Sequence, residues 1–163
     1  MPNQKPTYDQ ARLHLQLYDL RREAKIRQAR DWFMQNYFVD SLEDSNRIAP
    51  PGSQEGTYTM MVLGYWDQAC ALLNYDLLHE RLFFETSGEF YATWDRVKPI
   101  IASVREQFHM NHWLEHLEKA ANRFEEWANK ESPGALEAMR QYTQQMRATK
   151  AEKATAAKAA TGN

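Results

Sequence analysis

The sequence is poor in cysteine: Cys70 is the single one among 163 residues. One cysteine excludes a disulfide within the chain and any zinc site built from four cysteines. Its neighbours are mostly apolar, and a free cysteine in such surroundings more often packs as a small hydrophobic residue than acts as a nucleophile. The sequence therefore predicts a reduced protein in which Cys70 is buried.

Long apolar runs and a large excess of one charge are absent as well. No window of 18 consecutive apolar residues occurs, and the opening MPNQKPTYDQ lacks the apolar segment of a secretory leader. The formal net charge is only −2, so no overall electrostatic field favours nucleic acid. We therefore expect a soluble, cytoplasmic protein with no membrane span and no nucleic-acid partner.

Glycine and proline are scarce, with six of each, whereas hydrophobic residues make up 43% of the chain and aromatic residues 12%. Such a composition argues against intrinsic disorder and for one domain with a real core. Apolar residues recur at steps of three and four in every long segment, which is the period of amphipathic helices. The sequence predicts an all-α fold: a single compact antiparallel bundle of five to six helices over residues 1–147, with an Ala/Lys-rich C-terminal helical arm at 148–163.

The first helix is predicted to begin at Thr7 and to continue to about residue 37. Thr7 and Gln10 have the spacing of a capping box, which marks a helix N-terminus. One apolar stripe is expected to face the core, while a second apolar row lies roughly opposite and needs another covering surface. The core stripe is Tyr8, Ala11, Leu15, Tyr18, Ile26, Ala29, Phe33 and Tyr37, and the second row is Leu13, Leu17, Leu20 and Ala24.

Two further segments are predicted to build the core. Residues 57–75 are apolar nearly all round, as expected of a central, most buried helix. Residues 88–109 carry an apolar seam, and Pro99 should kink that helix or start a new segment near Arg96. Seven side chains are expected to be buried together: Trp66, Leu73, Trp94, Val97, Ile101, Leu117 and Phe124.

The segment FHMNHWLEH places histidines at 109, 112 and 116. His112 and His116 are one helical turn apart, a spacing that can chelate a transition metal. His109 would lie about 10.5 Å from His116 along a helix axis, too far for one shared ion. Asn111 is expected to cap a new helix there and Trp113 to anchor it. The segment is therefore predicted to be a helix junction, with no metal or cofactor; His112 and His116 are the candidate ligands should that prediction fail.

Asp67 lies in the middle of the most apolar segment, where an unpaired carboxylate would be costly. It should therefore be protonated or have a partner, and Arg96 and Arg105 are the candidates. The functional alternative is a general acid or base in a cleft. No Ser–His, Cys–His or paired-carboxylate spacing accompanies it, so a structural ion pair or an exposed edge is favoured. We predict no catalytic residue and no enzyme.

Three segments together resemble a known family. They are LYDLRREAKIRQARDWF in the first helix, GYWDQACALLNYDLL in the central helix and YATWDRVKPIIASVREQF in the next long helix. They are similar to the bacterial helical proteins of domain of unknown function 4760, over roughly residues 15–127. The resemblance implies an all-helical fold with an unassigned function, and it supplies no active-site residue.

The sequence as a whole favours a non-enzymatic module that binds another protein or assembles as a homo-oligomer. A leucine row left in water is an apolar patch of the kind that marks interaction sites, so we expect Leu13, Leu17 and Leu20 to form the partner surface. Two alternatives stay open. The C-terminal helix could cover that row through Leu136, Met139 and Met146, or the bundle could bind a metal or small ligand through His112, His116 or Asp67.

Overall fold

The computed structural model describes the backbone of residues 5–161 and the side chains of residues 5–159. Every regular element in that range is helical, which confirms the all-α prediction. The five to six predicted helices are divided into more, shorter ones. The described part contains α1 (Tyr8–Arg22), α2 (Ala24–Asn36), α3 (Leu42–Ile48), α4 (Gln54–Asn74), α5 (Glu80–Thr86), α6 (Glu89–Val97), a 3-10 helix (Lys98–Ile100), α7 (Ile101–Phe108), α8 (Glu115–Glu131) and α9 (Ala135–Thr161).

The chain divides into two compact units, Met1–Phe124 and Glu125–Asn163, with the boundary inside α8. In the second unit Arg140 of α9 and Glu125 of α8 form an ion pair at 3.5 Å. Leu136 is buried, and most residues of α9 are exposed. Among the helices that the structure describes, none combines the length and apolar character needed to cross a membrane. The predicted division at residue 147 stays a prediction.

The predicted first helix is interrupted at Glu23, which separates α1 from α2. The backbone of Glu23 leaves the helical region (φ −54°, ψ 141°), and its carboxylate accepts hydrogen bonds from the N–H groups of Lys25 at 2.8 Å and Ile26 at 3.1 Å. These bonds, the one from Lys25 first, lower the pKa of Glu23. Glu23 is thus the N-cap of α2, a position where Ser, Thr, Asp and Asn are the preferred residues.

The break resets the helical phase, so the two halves of the predicted core stripe are buried differently. In α1 the stripe faces outward, with Tyr8 79% exposed and Leu15 62% exposed. The prediction that the stripe lies in the core is therefore wrong for α1. It is confirmed for α2 and the residue after it, where the buried members are Ile26, Ala29, Phe33 and Tyr37.

The core of the first unit is organised around α4, as predicted, because α2 and α6 both pack against it. Phenylalanine rings fill the space beside it: Phe84 and Phe90 are stacked with centroids 6.0 Å apart, and Phe124 meets them edge-on at 5.3 and 5.2 Å. All seven side chains predicted to be buried together are buried: Trp66, Leu73, Trp94, Val97, Ile101, Leu117 and Phe124.

Two shorter breaks follow from local chemistry. Pro99 lies in the 3-10 helix that interrupts the predicted helix 88–109, which confirms the kink, because proline has no N–H to donate to the preceding turn. The polar segment after residue 40 contains α3, whose N-cap Ser41 accepts a hydrogen bond from the N–H of Asp44 at 3.1 Å. The density of turn residues predicts a polar loop over residues 40–56, and α3 corrects that prediction for Leu42–Ile48.

Candidate functional site

The histidine segment is a helix junction, as predicted, but its helix begins later than predicted. His109 adopts the left-handed conformation (φ 55°) directly after α7, and α8 begins only at Glu115. Asn111 therefore lies four residues before α8 and is not its N-cap, which corrects the role predicted for it. His112 lies in the turn and His116 in the helix, so the two do not share a helical face.

His116 holds α8 against the end of α4. The side-chain nitrogen of Asn74, the last residue of α4, lies 3.2 Å from Nδ1 of His116 and donates to its carbonyl oxygen at 3.1 Å. Arg123 donates to the side-chain oxygen of the same asparagine at 2.9 Å. His112 is exposed. Among the described residues no group of three or more His, Cys, Asp or Glu side chains could hold a metal ion.

Asp67 has a backbone partner instead of an arginine. Its Oδ1 accepts a hydrogen bond of 2.9 Å from the N–H of Leu117, in the first turn of α8. Carboxylates are favourable there because the first N–H groups of a helix have no partner within it. Arg105, one expected partner, donates to the carbonyl oxygen of Trp113 from Nε at 3.0 Å and Nη2 at 2.8 Å. The ion pair predicted for Asp67 is therefore wrong.

Arg96, the other expected partner of Asp67, binds the end of α2. It is buried, and its Nη1 donates to the carbonyl oxygens of Phe33 at 3.0 Å and Met34 at 2.5 Å. Its guanidinium carbon lies 4.4 Å from the ring centroid of Phe38. Burial lowers the pKa of Arg96 to about 10, which still leaves it charged at neutral pH. A cation is favourable at a helix C-terminus, so Arg96 caps α2 from outside.

Cys70 is buried, as predicted. Burial, and then the nearby carboxylate of Asp67, raise the pKa of its thiol well above the usual value. The thiolate is the nucleophilic form of cysteine, so a thiol in this position is unreactive at neutral pH. Cys70 therefore packs as a small apolar side chain.

The predicted partner surface on α1 is not one continuous exposed row. Leu17 is 9% exposed and Leu13 half-buried, whereas Leu20 is 61% exposed. The hydroxyl of Tyr65 on α4 donates to the carbonyl oxygen of Leu17 at 2.7 Å, which ties that side of α1 to the core. Of the three predicted residues, Leu20 is the most exposed.

The continuous apolar surface of α1 lies on another face, which we call the outer seam and which consists of Tyr8, Ala11, Leu15 and Tyr18. These residues follow one another at steps of three, four and three, the spacing by which one helix packs on another. Tyr8, Leu15 and Tyr18 are exposed, and Ala11 is half-buried. The capping box of Thr7 and Gln10 is formed as predicted, so the seam begins on a well-defined first turn.

A partly enclosed cavity of about 220 Å³ lies between α1, α4 and α5. Its walls are mainly apolar and aromatic, and two residues of the outer seam stand in them. No motif spacing reveals this cavity, because its walls come from three segments far apart in the sequence. The apolar and aromatic lining consists of Leu15, Leu17, Tyr18, Tyr65, Trp66 and Phe83.

Arg21 is the permanently charged group in the cavity wall. Its guanidinium carbon lies 5.2 Å from the ring centroid of Tyr18 and 5.7 Å from that of Trp66, within the range of cation–π contacts. Among the described residues it forms no ion pair. These contacts with two rings hold the guanidinium in place, and no hydrogen bond to a described residue occupies its N–H groups.

His14 lies in the same wall and its hydrogen-bond state can be assigned. The hydroxyl of Thr86 donates to the carbonyl oxygen of Leu82 at 2.6 Å, and it lies 3.0 Å from Nε2 of His14. A hydroxyl has one proton to donate, so His14 must donate from Nε2 and carry its acceptor at Nδ1 when neutral. Burial first, and then the charge of Arg21, lower the pKa of His14.

Comparison with curated proteins and with solved structures gave no match. The family described as a domain of unknown function, DUF4760, matches residues 6–124. That range coincides closely with the first compact unit, which ends at Phe124 and contains α4, the outer seam and the cavity. The match spans well over half of the sequence, so this protein belongs to the DUF4760 family.

Proposed function

We propose that this protein is a non-enzymatic interaction module whose outer seam binds an amphipathic helix of another protein. The observation that supports this is the exposure of large apolar side chains in helical register on one face of a capped, regular helix. Exposed apolar surface rimmed by charged residues is characteristic of interaction sites. A helix that packs on α1 would remove Tyr8, Leu15 and Tyr18 from water.

The charges beside the outer seam favour a partner helix with acidic flanks. Arg12 and Arg22 are exposed beside the seam, and the guanidinium carbon of Arg22 lies 5.7 Å from the ring centroid of Tyr18. Asp19 is the acidic residue on the same side, so the basic residues are in excess. Charges that flank the apolar contact of two helices set the choice of partner, so carboxylates should face these arginines.

The groups that could carry chemistry support the non-enzymatic part of the proposal. Asp67 accepts the hydrogen bond of a helix N-terminus, His116 lies against Asn74, and Cys70 is buried with a raised pKa. Each of these side chains has a packing role that accounts for its position. None of them meets a second group in the arrangement of a nucleophile and its base.

Leu15→Glu and Leu20→Glu form a matched pair for testing the proposal. The two leucines are equally exposed, at 62% and 61%, on the same helix. They lie five residues apart, which turns them about 140° from each other around the axis. Both variants should fold as the unaltered protein does, so a difference between them reports which face is used.

We expect affinity capture from the native host to yield a protein that Leu15→Glu loses and Leu20→Glu retains. Its binding region, made as a synthetic peptide, should be an amphipathic helix with acidic flanks and should bind only the protein with an intact seam. Equal capture by both variants, or loss with Leu20→Glu alone, would overturn the proposal. Light scattering tests whether the seam binds a second copy of this protein instead. A dimer that Leu15→Glu dissociates would show that it does.

A further inference from the structure

We infer that the cavity between α1, α4 and α5 binds a small carboxylate with an apolar body of about one ring, and that Arg21 receives the carboxylate. The inference goes beyond the proposed partner surface and does not rest on it. It rests on the size of the cavity, the apolar character of its walls and the lack of a carboxylate partner for Arg21 among the described residues.

The size of the cavity limits the ligand. Its volume is about 220 Å³. An apolar protein cavity of about 150 Å³ is large enough to bind benzene. The larger space here accommodates one ring or a branched chain of similar bulk, together with a carboxylate. Leu15, Leu17 and Phe83 supply apolar surface for that body.

The charge in the wall sets the sign of the ligand. Arg21 has no carboxylate partner among the described residues, and a guanidinium binds a carboxylate in a two-armed arrangement. Glu89 belongs to the same neighbourhood, since it and Arg21 both affect the pKa of Tyr65. Glu89 is already held by two nitrogens of Arg30. No lining residue is acidic, so the positive charge of Arg21 is left for a ligand.

Two further polar residues, Ser87 and His14, line the same cavity as Arg21. Ser87 is buried as a residue, and its hydroxyl forms no hydrogen bond with any described residue. With Nε2 assigned as the donor to Thr86, the neutral imidazole of His14 has Nδ1 as its acceptor. A bound anion would favour the protonated form of His14, because it would offset the burial and the repulsion by Arg21 that now lower its pKa.

The test uses benzoate with two probes of similar size and different charge, neutral benzamide and cationic benzylamine. Binding to the full chain would be followed through the indole N–H signals in nitrogen-15 correlation spectra, with the Trp66 signal assigned from Trp66→Phe. We expect benzoate to shift the Trp66 signal saturably and to raise the measured pKa of His14. Benzamide should bind at least about tenfold more weakly, the cost of losing a charged hydrogen bond, and benzylamine should not bind.

Arg21→Leu and Arg12→Leu are the matched variants. The two arginines lie on α1 nine residues apart, which places them on opposite sides of the helix, and Arg12 is exposed. Arg21→Leu should weaken benzoate binding at least about tenfold, and Arg12→Leu should leave it unchanged. Arg21→Lys keeps the charge but not the two-armed geometry, so it should bind benzoate with an intermediate affinity. This variant keeps the test valid if Arg21→Leu does not fold.

Three results would overturn the inference. The first is the absence of saturation up to about 10 mM benzoate, a concentration well above that needed for a weak but specific site. The second is equal binding of benzoate and benzamide. The third is a benzoate affinity that neither change at Arg21 alters. Leu15 and Tyr18 belong both to the outer seam and to the cavity wall. These three results concern benzoate and Arg21, which is not part of the seam, so the partner surface is left to the comparison of Leu15→Glu with Leu20→Glu.

Discussion

The side-chain oxygen Oδ1 of Asp67 lies 2.9 Å from the backbone nitrogen of Leu117 and accepts its hydrogen bond. This contact joins the middle of α4 to the first turn of α8, fifty positions further along the chain. It explains why a carboxylate is present in the largely apolar middle of α4. Asp67 supplies an acceptor that the start of α8 does not provide for itself.

Removing this carboxylate should weaken the attachment of α8. We expect Asp67→Ala to lower the free energy of unfolding by about 1–3 kcal/mol, the range for leaving a partly buried hydrogen-bonding group without its charged partner. Asp67→Asn keeps an acceptor oxygen and should lose less. Urea denaturation of both variants measures this. If both variants were as stable as the unaltered protein, Asp67 would not contribute to the attachment of α8.

Arg96 should matter to stability through the end of α2. Arg96→Met retains most of the side-chain volume but removes the donor to the carbonyl oxygens of Phe33 and Met34. We expect it to lower the free energy of unfolding by about 2–3 kcal/mol, as for a charged hydrogen bond lost in a buried site. Arg12→Met on the exposed face is the control and should stay within about 0.5 kcal/mol. A similar small effect for both variants would contradict the capping role.

The core and the chain breaks differ in how far the sequence could predict them. Buried side chains such as Trp66, Trp94 and Phe124 follow from helical periodicity, which depends only on which residues are apolar. The break at Pro99 follows from a missing N–H. The break at Glu23 could not be predicted, because glutamate is an unusual N-cap and the apolar stripe, interrupted only at Arg22, resumes in helical register at Ile26.

The wrong predictions for the surface of α1 follow from the break at Glu23. Once α1 is no longer in phase with α2, Leu17 turns inward and Leu15 outward, while Leu20 of the expected surface row stays exposed. The sequence predicts the junction at His109 but starts the next helix too early, because helix starts are the least certain part of a sequence pattern. The cavity depends on tertiary packing and has no local signature.

The histidines of the junction should differ in their effect on stability. His112→Gln should leave the free energy of unfolding unchanged, because His112 is exposed. His116→Gln should lower it by about 0.5–1.5 kcal/mol, because the contact of Nδ1 with Asn74 is lost. Thermal or urea denaturation of the two single variants measures this difference. Zinc, nickel or copper bound in stoichiometric amount after dialysis, and lost in the double variant, would contradict a purely structural role.

The pKa of His14, measured by an NMR titration, should lie below the ordinary value of about 6.5. Burial is the larger cause and Arg21 the smaller, so Arg21→Gln should raise this pKa without fully restoring it. A histidine with a lowered pKa in the folded state binds its proton more readily when unfolded. The stability that neutral His14 contributes is therefore present above about pH 6.5 and is lost as the pH falls through its folded-state pKa. The free energy of unfolding of His14→Gln should consequently fall less on acidification than that of the unaltered protein. A pKa at or above the ordinary value would contradict the burial of the imidazole.

Photo-crosslinking from the two faces of α1 tests the proposed interaction most directly. A benzoylphenylalanine introduced at position 15 or at position 20, in otherwise identical protein, would be irradiated in cells of the native host. The account predicts a crosslinked partner from position 15 that is absent or much weaker from position 20, with the crosslink mapped to an amphipathic helix with acidic flanks. Equal yields from both positions, or crosslinks from position 20 alone, would contradict it.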